Sequence, residues 1–162
     1  MDMDEVYAAQ GAEIQYSRAS FRAFAILIDT AIAWVLGLII FAVIDLLLGG
    51  LIEESLGFLV PFYSLVFGIE ILHLTLLLGR YGQSVGMFLV KFGDPSGHSI
   101  KVVKEADSSP ISYGDAFVRT ILLFVDAVPY LIPFLLGAVL IWTSDKKQRL
   151  GDRIAHTIVV LA

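Results

Sequence analysis

The strongest constraint on this sequence is residues 20–48, SFRAFAILIDTAIAWVLGLIIFAVIDLLL, an apolar run longer than a soluble helix needs. A run of more than about 18 apolar residues indicates a membrane-spanning helix. Arg22 and Asp29 nevertheless stand in its first turns, and Asp45 stands near its end. A charge near the centre of a span costs about 2.5–3.5 kcal/mol on insertion scales, so these residues are candidates for a site.

The composition of the chain agrees with a bilayer environment. Of its 162 residues, 57% are hydrophobic and 17% are charged, whereas soluble domains are about 45–50% apolar and about 25% charged. The net charge of −5 and the lack of a dense basic run argue against a nucleic-acid partner. The lipid bilayer is the predicted partner.

Three apolar segments predict the fold. They lie at 23–44, 58–78 and 117–142 within one domain, 1–162. The expected fold class is an all-α membrane protein with three membrane-embedded helical segments and a small cytoplasmic β-like cap.

The basic residues predict the orientation. They flank the start of the first span and the end of the second, and the loop 45–57 between the two spans has none. The positive-inside rule then places the N-terminus and residues 80–116 in the cytoplasm of a multi-pass cell-membrane protein, with 45–57 outside.

The third segment leaves two alternatives. Pro129 and Pro133 interrupt it, and basic residues follow it. A single crossing would place 144–162 outside, against the positive-inside rule. A re-entrant hairpin tipped at 128–133 would keep 144–162 in the cytoplasm, although each arm is too short to cross.

The cytoplasmic cap is predicted from strand-like stretches. Residues 87–92 and 98–103 flank the turn tetrapeptide at 94–97, and the β-branched stretch 157–161 could join them as a third strand.

The first and third segments share the same spacing between an arginine and an aspartate. Arg22 and Asp29 are seven positions apart, as are Arg119 and Asp126. Seven residues return to one helical face but lie about 10.5 Å apart along the axis, so the partners should be on other helices. Parallel packing would bring the two aspartates together, where they would share a proton or hold a cation. Offset packing would instead pair Arg22 with Asp126 and Arg119 with Asp29 as a structural clamp.

The second span contains Glu70 and His73, one turn apart on one face. This is a ligand spacing of di-iron bundles, but those bundles need two copies and further carboxylates. A proton or ion site beside Asp29 and a pair satisfied within the bundle remain the alternatives. No metal site or cofactor is predicted.

Four stretches resemble the RDD family of integral membrane proteins, which is named for one arginine and two aspartates. They are FRAFAILIDTAI at 21–32, GQSVGMFLVKFGDPSG at 82–97, ISYGDAFVRTILLFVDAVPYL at 111–131 and QRLGDRIAHTIVV at 148–160. The resemblance implies that the name-giving residues are Arg22, Asp29 and Asp152, with Arg119 and Asp126 as further matches. It also implies a set of structural motif positions, namely Gln83, Gly86, Arg149, Gly151, Asp152 and Thr157.

Two positions depart from the family pattern. Met87 stands where the family usually has lysine, and His156 stands where it usually has glycine. The resemblance therefore does not carry over to this chain the cationic contact of that lysine or the flexible turn of that glycine.

Two interpretations of the closing motif stay open. In one, it is an interfacial turn in which Arg149 and Arg153 pair with Asp152 or with lipid phosphate. In the other, Asp152 accepts hydrogen bonds from the backbone of 82–97 and holds the cap on the bundle.

The leading functional hypothesis is transport, as cation/proton exchange by an oligomer, a role that has been proposed within the family. Asp29 would bind the monovalent cation or proton beside Asp126, Glu70 and His73, and Arg22 and Arg119 would compensate charge. The alternative is a membrane scaffold or assembly factor whose charge pairs are structural and whose partner is itself or another membrane protein. Nucleophilic catalysis has no support in the sequence, and an intramembrane enzyme using Glu70 and His73 would require a bound metal.

Overall fold

The computed structural model describes residues 14–49, 56–126 and 135–162, and the side chains of a few helical residues beside the gaps are not described. The elements are listed in chain order: α1 (Ala19–Leu47), α2 (Leu56–Tyr81), α3 (Val85–Leu89), a 3-10 helix (Val90–Phe92), β1 (Ile100–Lys104), α4 (Tyr113–Asp126), α5 (Leu135–Thr143), α6 (Leu150–Ile154) and β2 (Thr157–Leu161).

The two long helices pack through one narrow stripe each. The buried residues of α1 recur every three or four positions, which is one face of a helix: Arg22, Ala25, Asp29, Ala33 and Gly37. The buried residues of α2 recur every four: Phe62, Val66, Glu70, Leu74 and Leu78. The charged side chains of both helices therefore lie in the packed stripes.

The remaining faces of these helices are apolar and exposed. Leu46 and Leu47 are 78% and 79% exposed, and most other large apolar residues from position 34 onwards in α1 are exposed as well. The segments Ala19–Leu47 and Phe58–Tyr81 are long and apolar enough to cross a membrane. Exposed apolar surface of this extent is typical of lipid-facing helices, which confirms the first two predicted spans as candidates.

A two-stranded sheet lies at the end of the bundle where α1 begins. β1 pairs with β2 in antiparallel register, with Ile100 opposite Leu161. Residues 15–17 extend the sheet on the other side of β2, because Ser17 N donates to Val159 O at 2.9 Å and Leu161 N donates to Gln15 O at 3.0 Å. The predictions of strands at 98–103 and 157–161 are confirmed to within two residues.

The predicted strand at 87–92 is wrong. Its residues form α3 and the 3-10 helix. Ser84 caps α3, because its side chain accepts from Met87 N, and a serine in this position favours a helix start. The following turn is as predicted, with Gly97 N donating to Asp94 O at 2.9 Å.

The third segment begins and ends at the same end of the molecule. Its described parts are α4 and α5, and the predicted tip at 128–133 lies outside the described residues. After α5, Lys146 forms an ion pair with Glu105, next to β1, and β2 returns to pair with β1. A single crossing at 117–142 would separate these residues by the thickness of a bilayer. The re-entrant alternative agrees with these contacts.

Candidate functional site

The first part of the site is built around Arg22, in the first turn of α1. Its side chain is 6% exposed. Nη1 lies 3.0 Å from Asp152 Oδ2, and Nη2 donates to the carbonyl oxygen of Val159 at 3.3 Å. The guanidinium thus joins the start of α1 to α6 and to β2.

Two further arginines meet the same carboxylate. Arg119 Nη1 lies 2.6 Å from Asp152 Oδ1 and also donates to the Thr157 hydroxyl. Arg149 Nε lies 3.5 Å from Asp152 Oδ1, and the Arg149 backbone N donates to Oδ2 at 3.2 Å. Arg22, Arg119, Arg149 and Asp152 form what is called here the arginine cluster.

Gly151 allows α6 to approach α4 closely enough for this contact. A Cβ at Gly151 would lie 3.2 Å from the carbonyl oxygen of Arg119 and 3.3 Å from Leu122 Cβ. Gly151 therefore allows the next residue, Asp152, to lie against α4 and reach Arg119.

The cluster is buried and electrostatically unbalanced. Asp152 is 0% exposed and Arg119 is 1% exposed. Burial alone would raise the pKa of the Asp152 carboxyl, but the guanidiniums of Arg119, Arg149 and Arg22 outweigh burial and hold that pKa below its ordinary value. Asp152 is therefore a buried carboxylate anion, the counter-ion of three cations.

The second part of the site surrounds Asp29, which is 3% exposed. The Ser84 hydroxyl donates to its Oδ2, and Gly86 N donates to its Oδ1 at 2.8 Å. Gly86 is required at this contact, because a Cβ there would fall far inside van der Waals distance of the Ala25 carbonyl oxygen on α1. Asp29 therefore binds the start of α3 to the side of α1.

The third part of the site lies deeper in the two long helices. Thr30 Oγ1 donates to Glu70 Oε1 at 2.8 Å, and Glu70 is 7% exposed. His73 Nδ1 lies 3.0 Å from the carbonyl oxygen of Ile69. His73 Nε2 is buried and has no hydrogen-bond partner among the described residues. Glu70 and His73 share a face but bind different groups.

The structure decides part of the predicted pairing between the charged residues of the first and third segments. Arg22 and Arg119 converge on one residue, Asp152. The predicted offset pair of Arg119 with Asp29 is wrong, because Arg119 binds Asp152 and Asp29 binds α3. The side chain of Asp126 lies outside the described part of the chain, so its proximity to Asp29 stays a prediction.

Sequence reasoning missed the shared counter-ion. It expected Asp152 either to pair with neighbouring arginines or to accept from the backbone of 82–97. The first holds for Arg149, and the backbone contact to 82–97 is made by Asp29 instead. A signal for it was present in the sequence. The closing motif QRLGDR has two arginines but only one acidic residue, Asp152, so its cations outnumber its anions.

The remaining motif residue, Gln83, connects α2 to β1. Gln83 Nε2 donates to Ser99 Oγ at 2.9 Å and to the carbonyl oxygen of Ile100 at 3.1 Å. These bonds tie the end of α2 to β1. Among the described residues, no three acidic or histidine side chains are grouped so as to hold a metal ion.

Comparison with known proteins identifies a family and several relatives. A model of the RDD family matches residues 16–156. The chain is 39% identical over 80 residues to the proline-rich antigen of Mycobacterium leprae (strain TN), a stretch covering 49% of this chain and 27% of that protein. It is 34% identical over 82 residues to the proline-rich antigen homolog of Mycobacterium tuberculosis (strain ATCC 25618 / H37Rv), a stretch covering 51% of this chain and 29% of that protein.

The matched stretches span less than a third of either relative, and no solved structure matches the chain significantly. The family match covers most of the chain, including Arg22, Asp29 and Asp152. With two apolar helices that are able to cross a bilayer, this is a membrane protein, and the chain belongs to the RDD family.

Proposed function

We propose that this protein is a multi-pass scaffold or assembly factor of the cell membrane, in which the charged residues hold a cytoplasmic cap rigidly on the membrane helices. One observation carries the proposal. Arg22 and Arg119 both bind Asp152 between the helices and the cap, and Asp29 accepts hydrogen bonds from two donors, Ser84 and Gly86, at the start of α3. Because these charged side chains are engaged in ion pairs and hydrogen bonds within the protein, they favour a structural role over the binding of a transported ion.

The length of α1 supports this placement of the charges. Its 29 residues extend about 43 Å, whereas a hydrocarbon core is about 30 Å thick. The exposed apolar surface lies mainly in the C-terminal part of α1, and the cap covers Arg22 and Asp29. With the apolar part in the bilayer, Arg22 and Asp29 lie at or above the cytoplasmic boundary, which avoids most of the cost of a charge at the bilayer centre.

The proposed orientation places the N-terminus, the cap and residues 144–162 in the cytoplasm. The chain has no cysteine, so single cysteines can be introduced without interference. Cysteines at positions 145 and 48 should react with a membrane-impermeant maleimide from opposite sides of inverted and right-side-out vesicles. Labelling of both positions from one side would refute this topology.

The scaffold role is tested by Asp29→Asn. The variant loses one of the two oxygen acceptors, so we expect about 1–3 kcal/mol of lost stability and a loosened α3. The yield of cross-linked complexes, with a partner or with a second copy of the chain, should fall as stability falls. Neither the wild type nor Asp29→Asn should carry an ion flux in vesicles. Asp145→Asn, which changes an exposed carboxylate in the turn before α6, is the matched control. An unchanged yield of cross-linked complexes in a measurably destabilised Asp29→Asn protein would contradict the proposal.

A second candidate function is cation/proton exchange by an oligomer, and one observation favours it. Glu70 is a buried carboxylate in α2, and its described hydrogen bond comes from the neutral hydroxyl of Thr30. His73 Nε2, one turn away, has no hydrogen-bond partner among the residues that the structure describes. Such groups in a span are candidates for ion or proton binding, with Asp29 and Asp126 as proposed neighbours. An oligomer would be needed because carriers usually build their site between two repeats.

The exchange hypothesis is tested in vesicles that contain a pH-sensitive dye. A sodium or potassium gradient should drive a pH change that Glu70→Gln and Asp29→Asn abolish and Asp145→Asn leaves intact. Equal rates in all variants and in empty vesicles would exclude exchange by this chain under those conditions.

A further inference from the structure

The arginine cluster has more positive than negative charge. Three guanidiniums contact the single carboxylate of Asp152, which leaves a formal charge of +2 in a buried location. Buried charge without a counter-ion is costly, and proteins usually pair it or bind an ion there.

Two other carboxylates of this part of the chain, Asp115 and Glu105, form ion pairs with lysines. Asp115 Oδ2 lies 3.7 Å from Lys104 Nζ. Glu105 is bound by Lys146 and by Gln148 Nε2, the latter at 2.8 Å. Among the residues that the structure describes, only Asp152 forms an ion pair with the cluster.

The cluster also has unused donors. The Nε–H groups of Arg22 and Arg119 are buried and have no hydrogen-bond partner in the described part of the chain. Both side chains are more than nine-tenths buried. An unpaired buried N–H group costs free energy that a bound acceptor would recover.

Arg149 is the outward side of the cluster. Its side chain is 12% exposed, compared with 6% for Arg22 and 1% for Arg119, and its ion pair is the longest of the three. The preceding helix α5 ends near Trp142, which is 70% exposed, and tryptophan is enriched at membrane–water interfaces. A ligand would therefore approach Arg149 from the bilayer surface on the side of the cap.

We propose that the arginine cluster binds a terminal phosphate group, either a phosphate monoester or free phosphate, with Arg149 as the entrance and Arg22 and Arg119 as the buried cations. A phosphate monoester carries a charge of about −1.5 to −2 at neutral pH, which matches the charge of the cluster. Guanidinium groups bind phosphate through paired, charge-assisted hydrogen bonds. The phosphate could belong to a phosphatidic acid headgroup in the membrane or to inorganic phosphate in solution.

The test compares thermal unfolding of the purified full-length protein in detergent with two probes. One arm titrates inorganic phosphate against chloride at equal ionic strength. The other titrates phosphatidic acid against phosphatidylcholine in mixed micelles. Wild-type protein should gain thermal stability in at least one arm, since a ligand that binds only the native state raises the Tm.

Two variants on the same short segment separate specific binding from general charge. Arg149→Gln should weaken the apparent affinity about tenfold or more, the loss expected for one charge-assisted contact. Arg153→Gln removes an exposed arginine four residues further on, in α6, and should bind as wild type does. If Arg149→Gln fails to fold, Arg149→Lys replaces it, and lysine should also bind more weakly because it lacks the planar fork.

The outcomes are distinct. A shift with phosphatidic acid alone identifies a headgroup site, and a shift with both probes identifies a phosphate site open to solution. No shift with either probe, or equal losses for Arg149→Gln and Arg153→Gln, would overturn the proposal. Neither of these results depends on scaffold or exchange activity.

Discussion

Removal of the Asp152 carboxylate should destabilise this protein more than removal of any exposed charge. Asp152→Asn keeps the size and shape of the side chain but leaves three guanidiniums together without a counter-ion. The three ion pairs that it breaks have N···O distances of 2.6, 3.0 and 3.5 Å around a side chain that is fully buried. Removing one partner of a buried ion pair costs about 3–5 kcal/mol, because the remaining charge stays buried.

This loss is large compared with the stability of a domain, which is about 5–15 kcal/mol. For a chain of about this size, 1 kcal/mol corresponds to about 2–4 °C, so the Tm should fall by about 6–20 °C. Thermal unfolding in detergent, followed by circular dichroism, measures this change. Asp145→Asn is the control, since that carboxylate is exposed, and it should leave the Tm unchanged.

A double variant tests the electrostatic reason. In the Asp152→Asn protein, Arg149→Gln should raise the Tm. It leaves two guanidiniums, those of Arg22 and Arg119, in place of three, and their mutual repulsion is smaller. Coupling between residues in contact is about 0.5–3 kcal/mol, which unfolding measurements resolve. If Asp152→Asn unfolds at the temperature of Asp145→Asn, or if Arg149→Gln lowers the Tm further, this account of the cluster is refuted.

Other predictions concern pH, backbone packing and the surface. The ionised Asp152 should contribute its full stability above about pH 3.9, the ordinary carboxyl value, and lose it as the pH falls through its lowered folded pKa. Tm measurements from pH 7 to pH 3 should show this acid loss in wild type and a smaller one in Asp152→Asn. Gly86→Ala should destabilise the protein by about 1–3 kcal/mol because its Cβ would press on a carbonyl oxygen of α1, whereas Gly68→Ala, which meets no atom within 4 Å, should be neutral or slightly stabilising in the same unfolding assay. Lys146→Ala should leave the Tm unchanged, because exposed ion pairs contribute little, and a clear drop would show that the turn before α6 depends on it.

Local patterns predicted the parts of the fold that depend on local physics. Apolar length predicted the two long helices, and β-branched composition predicted β1 and β2. The strand predicted at 87–92 failed because Ser84 caps a helix there, and a short apolar run is compatible with either structure. The third segment stayed ambiguous because the pairing of β1 with β2, across more than 50 positions of sequence, decides where it ends.

By itself the sequence determined that the chain enters a membrane, which of its residues are charged in apolar surroundings, and that those residues match the RDD pattern. It did not determine their partners. Arg22 and Asp152 are 130 positions apart, and helical periodicity carries no information over that distance. Only the tertiary structure decided that two arginines from different segments share one buried carboxylate, while Asp29 binds the start of α3. The physical reason is that a buried charge is stabilised by whichever opposite charge or donor the packing brings within about 3 Å, and packing is a property of the whole chain.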